Sequence, residues 1–419
     1  MPSSISMPLK TESATSDSDN TPTAMNQTAR SNRYHIGIFG RRNAGKSSLI
    51  NAITGQDISI VSDVAGTTTD TVWKNIELPG IGAAVLADTA GYDDEGELGE
   101  KRIKRTREAA GRIDLALVLL SGEPDDTKHE KEWQQLFNSL NIPVIYLLGK
   151  SDTTAEATKS KWEAELGCNV IPISAKSGEG KELLLNQMAA IYKSGDTLDD
   201  ITYTRAKRGD VVVLVMPQDA QAPQGRLIQP QVQTLRTLLD KHCIAMCCAP
   251  EELPQLLKTL AEPPSLIITD SQVFAQVEKH VPANCKLTSF SILMSRHKGD
   301  LATFRKGAEA LKALKPNGCI LIAESCSHIP QNEDIGRVKL PRLLRKKFGE
   351  EIVIDIVSGN DFPESLAGYD VIIHCGACMF TRRHVLNRIR SAKTQEVPIT
   401  NYGIAIATLT GILERVNFE

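Results

Sequence analysis

Two groups of residues in this sequence have the types and spacing to do chemistry. Near the C-terminus, Cys326-Ser327-His328 is followed by His374-Cys375-Gly376-Ala377-Cys378. Three thiols and two imidazoles spaced C-x-H and H-C-x-x-C are metal-ligand types at metal-ligand spacing. Near the N-terminus, Gly40-Arg41-Arg42-Asn43-Ala44-Gly45-Lys46-Ser47 has the pattern of a phosphate-binding loop, continued by Ser48. Gly40 and Gly45 free the backbone to wrap phosphates, and Lys46 supplies a point charge to the β and γ groups. Ser47 is placed to ligate Mg²⁺ at a helix N-terminus whose dipole favours anions.

Further short segments follow in a fixed order. Gly66-Thr67-Thr68-Thr69-Asp70 is a polar stretch suited to a first switch, with Thr68 a candidate for Mg²⁺ and for catalysis. Asp88-Thr89-Ala90-Gly91 places Asp88 to bind Mg²⁺ through water and Gly91 to sense the γ-phosphate. Lys150-Ser151-Asp152 and Ser174-Ala175-Lys176 resemble the guanine-reading elements of translation-factor-like G domains. One departure is Gly149, where such domains carry Asn. The Asp152 carboxylate can still accept two hydrogen bonds from guanine, and a polar group left unpaired by the wrong base discriminates by roughly 10⁴-fold.

Tyr92 follows Gly91, so the Gln that orients water in many small GTPases is absent. Asn43 and the 66–70 segment resemble the potassium-activated G domains of the tRNA-modification GTPase family. That resemblance implies K⁺ held by Asn43 in place of an arginine finger, and assistance to the attacking water from Glu100. The catalytic candidates are thus Lys46, Asn43, Thr68, Gly91 and Glu100.

For the thiol and imidazole group, zinc with Cys₃His or Cys₂His₂ ligation is one reading. A [4Fe–4S] cluster on three thiolates with one open position is the other. The remaining cysteines, Cys168, Cys243, Cys247, Cys248, Cys285 and Cys319, lack ligand-like spacing to a His. Cys247 and Cys248 sit in an apolar run and read as small buried hydrophobes. An odd total of nine cysteines without a framework fits a reducing cytoplasm.

These sites need a scaffold, and the sequence supplies alternating strands and helices of the parallel α/β kind. Strands are predicted at 35–39, 83–87, 115–120, 144–148 and 170–173, with a closing helix at 182–192 and a polar linker at 193–207. A second unit reads as strand 210–216, helix 229–241, strand 243–248, helix 251–260, strand 265–269, a further helix and strand 286–293. A third reads as helix 301–314, strand 319–324, helix 340–348, strand 352–357 and strand 370–373. Cys326 and Cys375 then each follow the C-terminal end of a predicted parallel strand, the edge where open α/β sheets bind ligands.

The fold class is therefore α/β, a P-loop GTPase domain followed by two smaller α/β domains. The expected division is a disordered tail at 1–32, a GTP-binding domain at 33–195, a docking or dimerisation module at 206–295 and a metal-binding domain at 296–419. A length of 419 residues requires more than one core, and 41% hydrophobic with 24% charged residues is a globular composition. The net charge of -3 argues against binding nucleic acid through counterion release. No apolar run reaches a membrane span, and the acidic, polar N-terminus resembles neither a secretory signal nor a transit peptide.

G domain, middle module and C-x-H…H-C-x-x-C, in that order, resemble the HydF family of [FeFe]-hydrogenase maturation GTPases over residues 33–419. The segment from Asp219-Ala220-Gln221 to Leu227-Ile228 and that from Asp88 to Gly99 are similar to the family's middle domain and second switch. The resemblance implies a [4Fe–4S] cluster on Cys326, Cys375 and Cys378 in the last domain, with an exchangeable fourth site. His328, His374 and Asp219 are candidates for that site. It further implies GTP hydrolysis, a homodimer, two radical-SAM maturases that build a di-iron precursor bearing CO and cyanide, and apo-[FeFe]-hydrogenase as recipient. The basic groups Arg337, Lys339, Arg342, Arg345, Lys346 and Lys347, then Arg382, Arg383, Arg388 and Arg390, read as solvated helix faces or as a docking surface for an anionic partner. The competing reading is a GTPase acting on tRNA or ribosomes with a zinc-stabilised C-terminal domain.

Overall fold

A computed structural model describes residues 32–55, 71–92, 96–154, 156–194, 200–217, 227–325, 334–359, 361–377, 380–416 and 418, with backbone alone for 96–101. The first domain runs β1 (Tyr34–Gly40), α1 (Lys46–Thr54), β2 (Val72–Leu78), β3 (Gly82–Asp88), α2 (Gly96–Ala110) and β4 (Leu115–Leu120). It continues with α3 (Lys128–Ser139), β5 (Val144–Gly149), α4 (Glu156–Leu166), β6 (Val170–Ile173) and α5 (Lys181–Ser194). Its sheet has the order β2-β3-β1-β4-β5-β6. All pairs are parallel except β2 with β3. Leu115–Leu120 is buried along its whole length, because helices cover both faces of a central parallel strand. The edge strand β2, which no apolar run announced, is half-exposed and mixes polar with apolar residues.

The middle domain contains β7 (Val211–Val215), α6 (Gln229–Asp240), β8 (Ile244–Cys248), α7 (Leu253–Thr259), β9 (Leu266–Thr269), α8 (Phe274–Glu278), β10 (Lys286–Ser289) and α9 (Phe290–Lys298). Its parallel sheet is ordered β10-β9-β7-β8. The strand expected at 286–293 stops at Ser289. Its side chain accepts the Ile292 N–H as a helix N-cap, and the apolar residues beyond it become the buried face of α9. The expected linker is also packed at its end: Ile201 and Ala206 are buried, and Lys241 Nζ binds Asp200 Oδ2 at 2.7 Å.

The third domain contains α10 (Leu301–Lys312), β11 (Cys319–Ala323), α11 (Leu340–Phe348), β12 (Val353–Val357), β13 (Val371–His374), α12 (Arg382–Thr394), β14 (Ile399–Asn401) and α13 (Tyr402–Leu409). Its sheet is again parallel, ordered β12-β11-β13-β14. One continuous apolar core joins this domain to the middle one, running from Val213 and Ile267 through Ile292 to Phe304, Leu321 and Ile372. The helices α9 and α13 approach closely there, because Gly403 has no side chain: a Cβ would lie 2.3 Å from that of Ser291.

Candidate nucleotide and metal sites

The phosphate loop leaves β1 through Gly40 and turns with left-handed φ at Asn43 (59°) and Gly45 (100°) before α1 begins at Lys46. Gly40 is required, since a Cβ would sit 2.6 Å from the Leu119 carbonyl. Lys46 is buried and donates to the carbonyls of Gly40 (3.0 Å) and Arg41 (2.8 Å), so its charge lies inside the loop. Ser47 Oγ donates to Asp88 Oδ2 at 3.2 Å, which joins two of the three Mg²⁺ candidates across β1 and β3. Burial raises the Asp88 carboxyl pKa, opposed by the Ser47 hydrogen bond and Lys46.

Beside the loop lies a cleft of about 720 Å³ lined by Ala44, Gly45, Ser48, Asp152, Ser174 and Lys176, among others. It therefore gathers phosphate-loop and base-reading candidates from distant parts of the chain. Gly149 and Lys150 line it too, and Lys150 has a left-handed φ of 58°. Glu179, which the sequence reading missed, fastens the base-reading loops together: Ser151 Oγ donates to its carboxylate at 2.7 Å and Ser174 N–H to its carbonyl at 3.1 Å. Asn51 of α1 also lines the cleft unforeseen, its Oδ1 buried. Thr68 and its neighbours lie outside the described residues, as does the side chain of Glu100 at the start of α2.

At the other site, β11 and β13 are neighbours, paired through Ala323 and His374. Cys375 N–H donates to the Ala323 carbonyl at 2.9 Å. The Cys375 sulfur receives the N–H of Ser325 at 3.0 Å and that of Ala377 at 3.4 Å, and pairs with Ser325 Oγ at 3.0 Å. Ala377 holds a left-handed φ of 51°, which turns its N–H back onto the sulfur. A sulfur that collects backbone N–H groups at a sheet edge is in the environment of a thiolate ligand. Cys326, His328, Cys378 and Asp219 lie outside the described residues, and among the described ones no three His, Cys, Asp or Glu converge on a common point.

His374 is fully buried with both ring nitrogens engaged. Nδ1 bonds the Cys375 carbonyl at 2.7 Å, and Nε2 faces Arg388 Nη1 at 3.0 Å. Arg388 donates, so Nε2 accepts and the proton resides on Nδ1. Burial and then the Arg388 charge push the His374 pKa down to about 3. Glu324, absent from the sequence reading, is buried at the end of β11 and bound by Arg337 Nε (3.1 Å) and Ser358 Oγ (3.0 Å).

The basic groups divide. Arg342, Arg345, Lys346 and Lys347 are exposed on α11, as a solvated or docking face requires. Those on α12 are structural. Arg382 Nη1 donates to Gly299 (2.9 Å) and His297 (3.0 Å) carbonyls of the middle domain. Arg383 Nη1 donates to Asn141 (2.9 Å) and Arg390 Nη1 to Ser139 (3.0 Å) of the first.

A Gly-x₄-Gly-Lys-Ser loop on this six-stranded sheet, followed by two four-stranded parallel domains, defines a multidomain P-loop GTPase. Residues 35–150 match the family of 50S ribosome-binding GTPases. Residues 201–299 match the hydrogen maturase F dimerization domain and residues 302–417 its tetramerization domain. The chain belongs to the hydrogen maturase F (HydF) family, as its motif order implied.

Among curated relatives, the tRNA modification GTPase MnmE of Endomicrobium trichonymphae is 40% identical over 172 residues, 39% of this chain and 36% of that protein. The MnmE of Chromobacterium violaceum is 37% identical over 181 residues, 42% and 39% of the respective chains. The chain thus spans under half the length of these relatives. Among solved structures, elongation factor SelB from Methanococcus maripaludis with the GTP analogue GPPNHP has 25% identity and a TM-score of 0.32, covering 40% of this chain and 35% of that one. No helix among the described residues is long and apolar enough to cross a membrane.

Proposed function

We propose that this protein is a GTP-hydrolysing scaffold that holds a [4Fe–4S] cluster on Cys326, Cys375 and Cys378 and carries a di-iron CO/cyanide precursor to apo-[FeFe]-hydrogenase. Two radical-SAM maturases build that precursor. The observation that carries the reading is the 3.0 Å bond from Ser325 N–H to the Cys375 sulfur, since Ser325 immediately precedes Cys326. Bound to three thiolates, the cluster would supply an iron with one exchangeable position. His374 serves there as a positioning residue, both its ring nitrogens being occupied by Cys375 and Arg388. His328 and Asp219 are the remaining candidates for the fourth position.

In the first domain, Lys46 turns from the loop carbonyls to the phosphates, Ser47, Thr68 and Asp88 hold Mg²⁺, and Asn43 holds K⁺. Gly91 senses the γ-phosphate and Glu100 assists the water. Asp152, with Lys150, Ser174, Ala175 and Lys176, reads guanine. GTP turnover controls partner exchange or domain arrangement, in a homodimer working in the cytoplasm. Metal analysis of anaerobically purified protein tests the reading. Iron and sulfide at about four per chain support it, whereas zinc alone would overturn it and favour a ribosome- or tRNA-directed GTPase, the reading that the match over residues 35–150 supports.

A further inference from the structure

We propose that α12 transmits the nucleotide state of the first domain to the arm at residues 374–377, with Arg388 as the positioning residue at its receiving end. For its bearing on the cluster, this inference rests on the function proposed above. One helix bonds to all three domains. On the G-domain side, Asn387 Nδ2 donates to the Gly111 carbonyl at 2.8 Å, just past the end of α2, and Arg390 reaches Ser139 at the end of α3. These acceptors lie in or beside the last helical turns, whose carbonyls lack partners within the helix.

On the opposite side, Arg388 is buried and bonds His374 Nε2 at 3.0 Å and the Gly359 carbonyl. His374 in turn holds the Cys375 carbonyl at 2.7 Å. The route from α2 to the arm is therefore a short run of hydrogen bonds through a single rigid element.

The start of that route is the segment that responds to nucleotide. The helix α2 follows Asp88-Thr89-Ala90-Gly91 in the chain, and switch segments of GTPases are ordered by the γ-phosphate and released on hydrolysis. A rotation or slide of α2 moves Gly111, and Asn387 carries the movement into α12. The contacts suit such motion: their acceptors are carbonyl oxygens, which tolerate a broad range of donor directions. The end of the route is a sulfur whose N–H partners, Ser325 and Ala377, come from two different segments. Displacing the arm changes that sulfur's exposure and hydrogen bonding together.

The rate at which N-ethylmaleimide labels Cys375, located by peptide mass mapping, tests this on the full chain before any metal is added. With Mg²⁺ present, labelling in GDP and in a non-hydrolysable GTP analogue should differ by about fivefold or more, the ordinary range of coupling between two sites. In Arg383→Ala/Asn387→Ala/Arg390→Ala, which removes the α12 side-chain bonds to Asn141, Gly111 and Ser139, the two rates should become equal, while GTP hydrolysis stays within about twofold of wild type. Arg388→Lys, which leaves the G-domain contacts in place, should also equalise them. Equal rates in the wild type, or a nucleotide difference that survives in both variants, would overturn the proposal. Because the labelling is done on metal-free protein, its outcome is separable from the iron analysis that decides the cluster.

Discussion

The hydroxyl of Tyr92 donates to Glu130 Oε1 at 2.9 Å, and the same buried carboxylate receives Arg41 of the phosphate loop at 2.7 and 2.9 Å. The position after Gly91 is thus not a water-orienting group held at the γ-phosphate. It is a core residue, packed on Trp133, that anchors the second switch to α3.

Glu130→Ala should leave the Tyr92 hydroxyl and the Arg41 guanidinium without their shared acceptor. The Arg41 side chain is 31% exposed and keeps the Asp126 carbonyl, so losing these charge-assisted bonds costs about 2 kcal/mol. Tyr92→Phe, which removes one neutral donor, should cost about 1 kcal/mol. Chemical denaturation of the two variants checks the order. A Glu130→Ala protein as stable as wild type would show that the carboxylate does not fasten loop to switch.

Hydrolysis of GTP should be slow and faster in potassium than in sodium salts. Asn43, the proposed K⁺ ligand, is held at a left-handed φ of 59° in the phosphate loop. Asn43→Ala should remove the preference and leave a rate like the sodium value. Equal wild-type rates in the two salts would exclude the cation.

Asp152→Asn should weaken the preference for GTP over xanthosine triphosphate, because an amide presents a donor where the base also presents donors. A competition assay against both nucleotides reads the change. Unchanged selectivity would remove Asp152 from the base site, and the cleft it lines would need another occupant.

Asp114 supplies a pH test. Burial pushes its carboxyl up to about 6, against the N–H of His35 and the charges of Arg383 and Lys298. A carboxyl with a raised folded pKa binds more protons folded than unfolded, so its contribution to stability falls as pH rises through that value. Asp114→Asn, which can still accept from His35, should gain on wild type between about pH 4 and pH 7, by on the order of 1 kcal/mol. Thermal melts of the pair across that range decide it. A constant difference would mean that Asp114 titrates normally.

How much could be read in advance depends on whether a feature is local. The central strands stand out because burial on both faces makes them continuous apolar runs, as in Leu115–Leu120, and the loop motifs sit at their ends. The edge strand Val72–Leu78 lacks such a run, being half-exposed. The end of β10 turned on one hydroxyl: Ser289 caps α9, although the apolar residues after it would continue a strand equally well. Most hidden was α12. Its arginines look like a solvated face because their partners, at Ser139, Gly299 and His374, are scattered across the chain. Glu179 and Glu324 escaped for the same reason, each defined by residues that only the fold brings near.

The apolar core shared by the middle and third domains carries a consequence for how the chain comes apart. Val213 and Ile267 of the middle domain share one buried cluster with Phe304 and Leu321 of the third, so part of each module's interior is completed by the other. Calorimetry should then register two cooperative melting events, one for the G domain and one for the fused pair. A fragment cut at residue 299 would carry a bare greasy flank into solution. Its self-association would report that exposed flank, and the natural assembly is better studied with the pair left intact.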